Sequence, residues 1–314
     1  MLLKPKRLRK GDVIGIVAPA SPVFPEDKLD RAAQYLESLG YRVRFGKAVR
    51  KVHGYLAGSD KERARDINEM FANPKVNAIF CLRGGYGSPR LLHLIDYALV
   101  QKHPKIFVGF SDVTALSLAI FAKTGLITFS GPMLASDMTQ PHPFAQEVLW
   151  QMLTSPRVFG ELPNHLDHHR VGLRNGSSVG RLFGGNLSLL TILVGTEFFP
   201  NLKKSLLFFE DVGEEPYRID RMLSQLKHAD ILAHLSGIII GQLTDCDSDD
   251  EKPSLSMEDV LLHYLSFLPK PAPAFANLSY GHIPQKLTLP IGAKCRLHVS
   301  RKKSVIEIAE TVVE

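Results

Sequence analysis

The first half of the chain alternates short apolar runs with amphipathic stretches. Val13–Ala18 is a continuous apolar run before a proline-containing loop, the pattern of a parallel strand covered on both faces. Across Glu26–Leu39 the apolar residues Leu29, Ala32, Ala33 and Leu36 share one helical face, and Gly40 stands where a helix should stop. Tyr41–Phe45 alternates and reads as a strand. Asp60 reads as the cap of a helix running through Phe71. Ala78–Leu82 is a buried strand leading directly into Arg83-Gly84-Gly85-Tyr86-Gly87. Ile106–Gly109 is another short strand, Val113–Ala122 an apolar helix stopped by Gly125, and Leu126–Phe129 the next strand. Strand, loop and helix in repetition predict an α/β domain with a parallel sheet and helices on both faces.

The pattern lapses over Ser155–Gly180. Pro156, Pro163, Asn164, the histidines His165, His168 and His169, and Asn175-Gly176 read as an exposed linker. The expected division is therefore a first domain over 1–155, a linker over 156–179 and a second domain over 180–314. In the second, Ser205–Phe209 and Gly237–Leu243 read as strands, and Tyr217–Leu226 and Met257–Phe267 as helices. Leu287–Leu289, Cys295–Val299 and Val305–Ile308 read as hairpin-like strands. A smaller α/β domain with an antiparallel portion is expected.

With 314 residues there is material for two cores, and 45% apolar with 22% charged residues is ordinary for a globular protein. No run of about 18 apolar residues occurs, so no membrane span is expected. Met1–Lys10 is basic and precedes an apolar stretch, but that stretch is short, Asp12 interrupts its entry, and Pro19 and Pro22 follow. It reads as a first buried strand, and a cytoplasmic location is expected. Cys81, Cys246 and Cys295 are far apart and form no CxxC pair, so neither a disulfide framework nor a zinc site is expected. The net charge of +6 is spread out, with no basic stripe interleaved with aromatics, so nucleic acid is not an expected partner. Asp245, Asp247, Asp249, Asp250 and Glu251 lack the glycine and closing glutamate of a calcium loop and read as a solvated surface.

Chemistry enters at strand ends, where ligands bind in parallel α/β sheets. Ser111 lies in Gly109-Phe110-Ser111-Asp112, between a buried strand and a helix. One reading makes it a nucleophile on a tight turn, with the Asp112 N–H as an oxyanion donor at a helix start. The other makes Ser111 or Asp112 a helix cap. The string is not G-x-S-x-G, because Val113 stands two residues after the serine. The glycines at 84, 85 and 87 allow close backbone approach to a ligand, or simply a tight turn; the lysine of a phosphate loop is missing. Glu210 and Asp211 end a strand and are candidates to orient a base. Glu214 and Glu215 read as partners of a helix dipole, and Arg218, Asp220 and Arg221 as solvated or paired on that helix. His282, in a loop beside Gly281 and Pro284, is placed to project into a cleft. Trp150 reads as packing.

Together these segments resemble one family, the LD-carboxypeptidases, which include murein tetrapeptide carboxypeptidases and microcin C resistance proteins. The resemblance runs through Gly11–Pro19, Arg83–Gly87, Gly109–Leu116, Gly184-Gly185-Asn186, Phe209-Glu210-Asp211, Tyr217–Arg221, Gly237–Gly241 and Gly281-His282. It implies a first domain with a flavodoxin-like, class I amidotransferase-like parallel sheet. It also implies a serine hydrolase with Ser111 as nucleophile, Glu210 as the acid and His282 as the base. Asp211 is the rival for the acid. The backbone N–H groups of Asp112 and Gly85 would form the oxyanion hole, and Arg83, Tyr86 and Arg218 are the residues to inspect for substrate binding. The implied substrate is a murein peptide ending in D-alanine, joined to an L-configured centre of diaminopimelate or lysine. No cofactor and no metal are implied, and a homodimer is a possible assembly. Two rivals stay open: the same chemistry on a peptidyl-nucleotide antibiotic, and a binding module without catalysis.

Overall fold

A computed structural model describes residues 2–248 and 253–314. Of the acidic stretch, Asp249, Asp250 and Glu251 lie outside the described residues. The chain forms two compact units, Met1–Arg157 with Leu287–Gly292 and Thr311–Glu314, and Val158–Lys286 with Ala293–Glu310.

The first unit is built on β1 (Val13–Val17), β2 (Arg42–Phe45), β3 (Ala78–Cys81), β4 (Ile106–Gly109) and β5 (Thr128–Ser130). β1, β3 and β4 are buried at every position, as their unbroken apolar runs require. These five strands pair in parallel in the order β5-β4-β3-β1-β2. This is the doubly wound order in which the strand direction of travel reverses beside β1. The helices α1 (Asp27–Ser38), α2 (Asp60–Ala72), α3 (Tyr97–Lys102) and α4 (Thr114–Thr124) connect them. Leu29, Ala32, Ala33 and Leu36 form the buried face of α1, as their spacing predicts. Gly125 closes α4 at φ 74°, the left-handed conformation that glycine reaches without penalty. Trp150 is a packing residue: its ring stacks on Tyr41 at 5.2 Å and Phe80 at 6.0 Å, and its N–H reaches the Tyr35 hydroxyl at 2.9 Å.

The cap of α2 is Ser59, not Asp60. The Ser59 hydroxyl accepts from the Glu62 N–H and the Glu62 carboxylate accepts from the Ser59 N–H at 3.0 Å, a reciprocal capping box. Asp60, one residue into the helix, is free to turn outward and pair with Arg63 and Arg90.

The second unit holds an eight-stranded mixed sheet. Its strands are β6 (Gly160–Glu161), β7 (Val171–Arg174), β8 (Gly176–Asn186), β9 (Leu206–Val212), β10 (Gly237–Thr244) and β11 (Ala274–Ala276). After β12 (Leu289–Ile291), β13 (Lys294–Val299) and β14 (Ser304–Ile308) complete it, in the order β6-β14-β13-β8-β9-β10-β11-β7. The centre β8-β9-β10-β11 is parallel, and both flanks are antiparallel. The expected hairpin is β13–β14. The segment expected to accompany it departs from that reading: β12 pairs antiparallel with β5, Leu289 opposite Ser130, and so extends the first sheet. The stretch read as a linker carries β6 and β7. Both are short edge strands, exposed or half-buried throughout, and lack the alternation that would have marked them.

The turn after β4 is tight and strained. Phe110 is extended, Ser111 takes φ 59°, and a 3-10 turn over Ser111–Val113 leads into α4. A side chain at this φ costs about 1 kcal/mol relative to glycine. Ser111→Gly should therefore exceed Ser111→Ala in unfolding free energy by about 1 kcal/mol. Both variants lack the hydroxyl, so urea titration isolates the backbone term; equal stability would remove the strain argument. In the same assay Ser59→Ala should lose about 1 kcal/mol through the capping box.

Candidate active site

The helix-cap reading of Ser111 fails on geometry. An N-cap residue takes an extended backbone and its side chain accepts from the helix. Ser111 is left-handed, and α4 has no side-chain cap; its N-cap is Val113. A serine held left-handed between a buried strand and a helix is instead presented by its turn.

Asp112 does a different job from the one its position in the sequence suggests. It is buried, and its carboxylate accepts from the Gly87 N–H at 3.2 Å and the Ser88 N–H at 2.8 Å. The Ser88 hydroxyl donates back to the Asp112 carbonyl. Burial pushes the Asp112 carboxyl up, while the bonds from Ser88 and Gly87 and the charge of Arg63 pull it down. Its side chain thus ties the glycine loop after β3 to the turn after β4.

The glycines have distinct roles in this loop. A Cβ on Gly84 would lie 3.1 Å from the Ser111 hydroxyl oxygen and 3.4 Å from the Asp112 nitrogen, so bare backbone faces the serine there. Gly85 takes φ 109°, and a Cβ on it would strike the Ser21 hydroxyl at 2.4 Å. That hydroxyl accepts from the Tyr86 N–H at 3.1 Å. Tyr86 is exposed and meets the exposed Tyr55 edge-on at 5.5 Å. Arg83 is half-buried and donates to the Pro22 carbonyl at 3.2 Å.

In the second unit the structure separates the two adjacent acids. Glu210 is fully buried at the end of β9, and its Oε2 lies 2.7 Å from Nδ1 of His282. A carboxylate can only accept, so Nδ1 carries a proton, and in the neutral imidazole the lone pair then falls on Nε2. Asp211 points the other way along the strand: it accepts from the Ser188 N–H at 2.9 Å and the Ser188 hydroxyl at 2.8 Å. Asn186 joins them, its amide donating to Glu210 at 3.2 Å and to Asp211 at 2.7 Å.

Arg218 is exposed on the helix Pro216–His228. It pairs with Glu214 at 3.5 Å and, with Arg221, flanks the Tyr217 ring. Asp220 accepts from the Tyr264 hydroxyl at 2.6 Å. The histidines of the expected linker are not uniformly exposed: His165 and His168 are half-buried, and only His169 is open.

Three participants escaped the sequence reading. Asn186 stood in plain sight after Gly184-Gly185, but an amide alone names no role. Ser88 follows the glycine loop with nothing to mark it. Arg63 lies within α2 with no local signal of a role, and it is buried and donates to the carbonyls of Pro19 and of Gly87. Among the described residues no cluster of three or more His, Cys, Asp or Glu is arranged to hold a metal ion. The three cysteines are free and buried. Burial pushes the Cys246 thiol up to about 11, which keeps it un-ionised near neutral pH.

These features have counterparts in known proteins. Residues 14–131 match the LD-carboxypeptidase N-terminal domain and residues 179–297 the LD-carboxypeptidase C-terminal domain. The probable murein peptide carboxypeptidase of Bacillus subtilis is 43% identical over 97% of this chain and 94% of its own length. The muramoyltetrapeptide carboxypeptidase of Oxalobacter formigenes superposes with a TM-score of 0.83 at 34% identity, covering 95% of this chain and 99% of that one. The microcin C7 self-immunity protein MccF superposes with a TM-score of 0.89 at 30% identity, covering 99% of this chain and 100% of that one. Two domain matches in order, over most of the chain, make this protein a member of the LD-carboxypeptidase family.

Proposed function

We propose that the protein is a serine carboxypeptidase that cleaves the L,D-peptide bond before the terminal D-alanine of murein tetrapeptides, in the cytoplasmic recycling of cell-wall peptides. The observation that carries the reading is the 2.7 Å bond between His282 Nδ1 and the buried Glu210. It leaves Nε2 as the basic atom, which is the tautomer a general base needs. In this mechanism Nε2 of His282 takes the Ser111 hydroxyl proton as the oxygen attacks the scissile carbonyl. The N–H groups of Asp112 and Gly85 stabilise the oxyanion, and the loss of one such donor typically costs about 3 kcal/mol. The imidazolium, stabilised by Glu210, then protonates the departing D-alanine amine. Water repeats the sequence in reverse roles and frees the acyl group from Ser111. Arg83 and Tyr86 are the proposed substrate contacts on the first unit. Arg218, committed to Glu214 and Tyr217, is the weaker candidate for the terminal carboxylate.

The similarity to MccF supports a second reading, hydrolysis of a peptidyl-nucleotide. Such a ligand calls for an aromatic surface under its base. The single tryptophan is spent on packing against Tyr41 and Phe80 and does not supply that surface.

Incubation with a murein tetrapeptide should release free D-alanine, read by mass spectrometry, while an aspartyl sulfamoyl adenosine should be left intact. The reverse outcome would transfer the protein to the second reading. Ser111→Ala should lower kcat by about 10⁴-fold or more, and Glu210→Gln by about 10²- to 10⁴-fold. The double variant should be no worse than Ser111→Ala alone, because members of one catalytic unit are not additive. A Ser111→Ala protein with wild-type turnover would remove the serine mechanism.

A further inference from the structure

His282 sits on a loop, and catalytic bases on loops need rigid support. That support comes from the stretch whose sequence looked like a linker. The N–H of Ser279, three residues before His282, donates to Asn164 Oδ1 at 2.8 Å. The Asn164 amide donates to the Asn277 carbonyl at 3.0 Å and to the His168 carbonyl. The hydroxyl of Ser279, fully buried, accepts from the His165 N–H at 2.8 Å and lies 3.1 Å from His168 Nδ1. The far end of the loop is held as well, with Gln285 donating to Asp167 at 3.3 Å. From the other side β10 grips the same loop: Gln242 bonds the carbonyls of Tyr280 at 2.8 Å and Leu278 at 3.0 Å.

We propose that Asn164, His168 and Ser279 are positioning residues, a clamp that holds the His282 loop so that Nδ1 stays on Glu210. This rests on the reading of His282 as the general base. The Ser279 oxygen accepts from the His165 N–H and keeps its proton and a second lone pair, one of which meets His168 Nδ1 according to the imidazole tautomer. Burial and the neighbouring His165 push the His168 imidazole below its ordinary value, against a smaller opposing pull from Asp167. Every polar atom of Ser279 named here thus has a partner in 164–168, and the loop has little freedom to swing His282 off Glu210.

The test reads the low-field proton NMR signal of the His282 Nδ1–H···Glu210 bond, assigned by its loss in Glu210→Gln. In Asn164→Ala and in Ser279→Ala the signal should shift or broaden. With a murein tetrapeptide, kcat should fall about 10- to 100-fold while KM stays within about twofold, the cost of a misplaced catalytic group. Asn164→Asp keeps an acceptor for the Ser279 N–H and should recover most of the signal. His168→Ala, at a half-buried site that threatens folding less, should move the signal in the same direction by a smaller amount. An unchanged signal in Asn164→Ala and His168→Ala overturns the clamp, whatever kcat does. If the wild type releases no D-alanine but the signal responds as described, the clamp stands and the substrate reading falls.

Discussion

The buried carboxylate of Asp112 accepts from the Gly87 and Ser88 N–H groups, and Ser88 returns a bond to the Asp112 carbonyl. The loop after β3 and the turn after β4 are thereby one piece of backbone. A carboxylate taken out of water costs several kcal/mol unless its oxygens are satisfied, so this loop cannot drift without exposing that cost. Arg63 reinforces the arrangement from α2 by holding the carbonyls of Gly87 and Pro19. Everything that makes Ser111 distinctive follows from it: the left-handed turn is retained, and bare backbone at Gly84 stays against the hydroxyl.

The second unit solves a related problem by different means. Glu210 and Asp211 are neighbours of equal charge, and local sequence cannot divide their roles. Strand geometry does, sending one to His282 and the other to Ser188, while Asn186 supplies each with a donor. Asn186 stands directly opposite Glu210 in the parallel pairing of β8 with β9. That register depends on Gly184, where a Cβ would lie 1.7 Å from the Phe208 carbonyl oxygen. At Gly184, a glycine of the motif is here a packing requirement that delivers an amide to two acids.

What was legible in the sequence was what a single period records. β1, β3 and β4 announced themselves as unbroken apolar runs, and α1 by its four buried positions. The alternation of strand and helix gave the parallel sheet. What escaped depends on partners distant in the chain. Nothing local to Leu289–Ile291 says that it pairs with β5 rather than with its neighbours. The polar segment 164–168 has no periodicity because its work is done through side-chain bonds to residues more than a hundred positions away. Ser59 lost its role to Asp60 in the reading because both are good caps and only the reciprocal Glu62 bond separates them. For Ser111 the residues alone left cap and nucleophile open; the backbone angle removes the cap.

The return of β12 to the first sheet bears on how this chain can be assembled. Vectorial synthesis exposes β1 to β5 early, but their sheet keeps an unpaired edge at β5 until the whole of residues 158–286 has been made. An open parallel edge is a template for foreign strands. The second unit is thus an insertion that delays closure of the first. A nascent chain paused within it would present the Ser111 turn on a sheet still lacking its final strand.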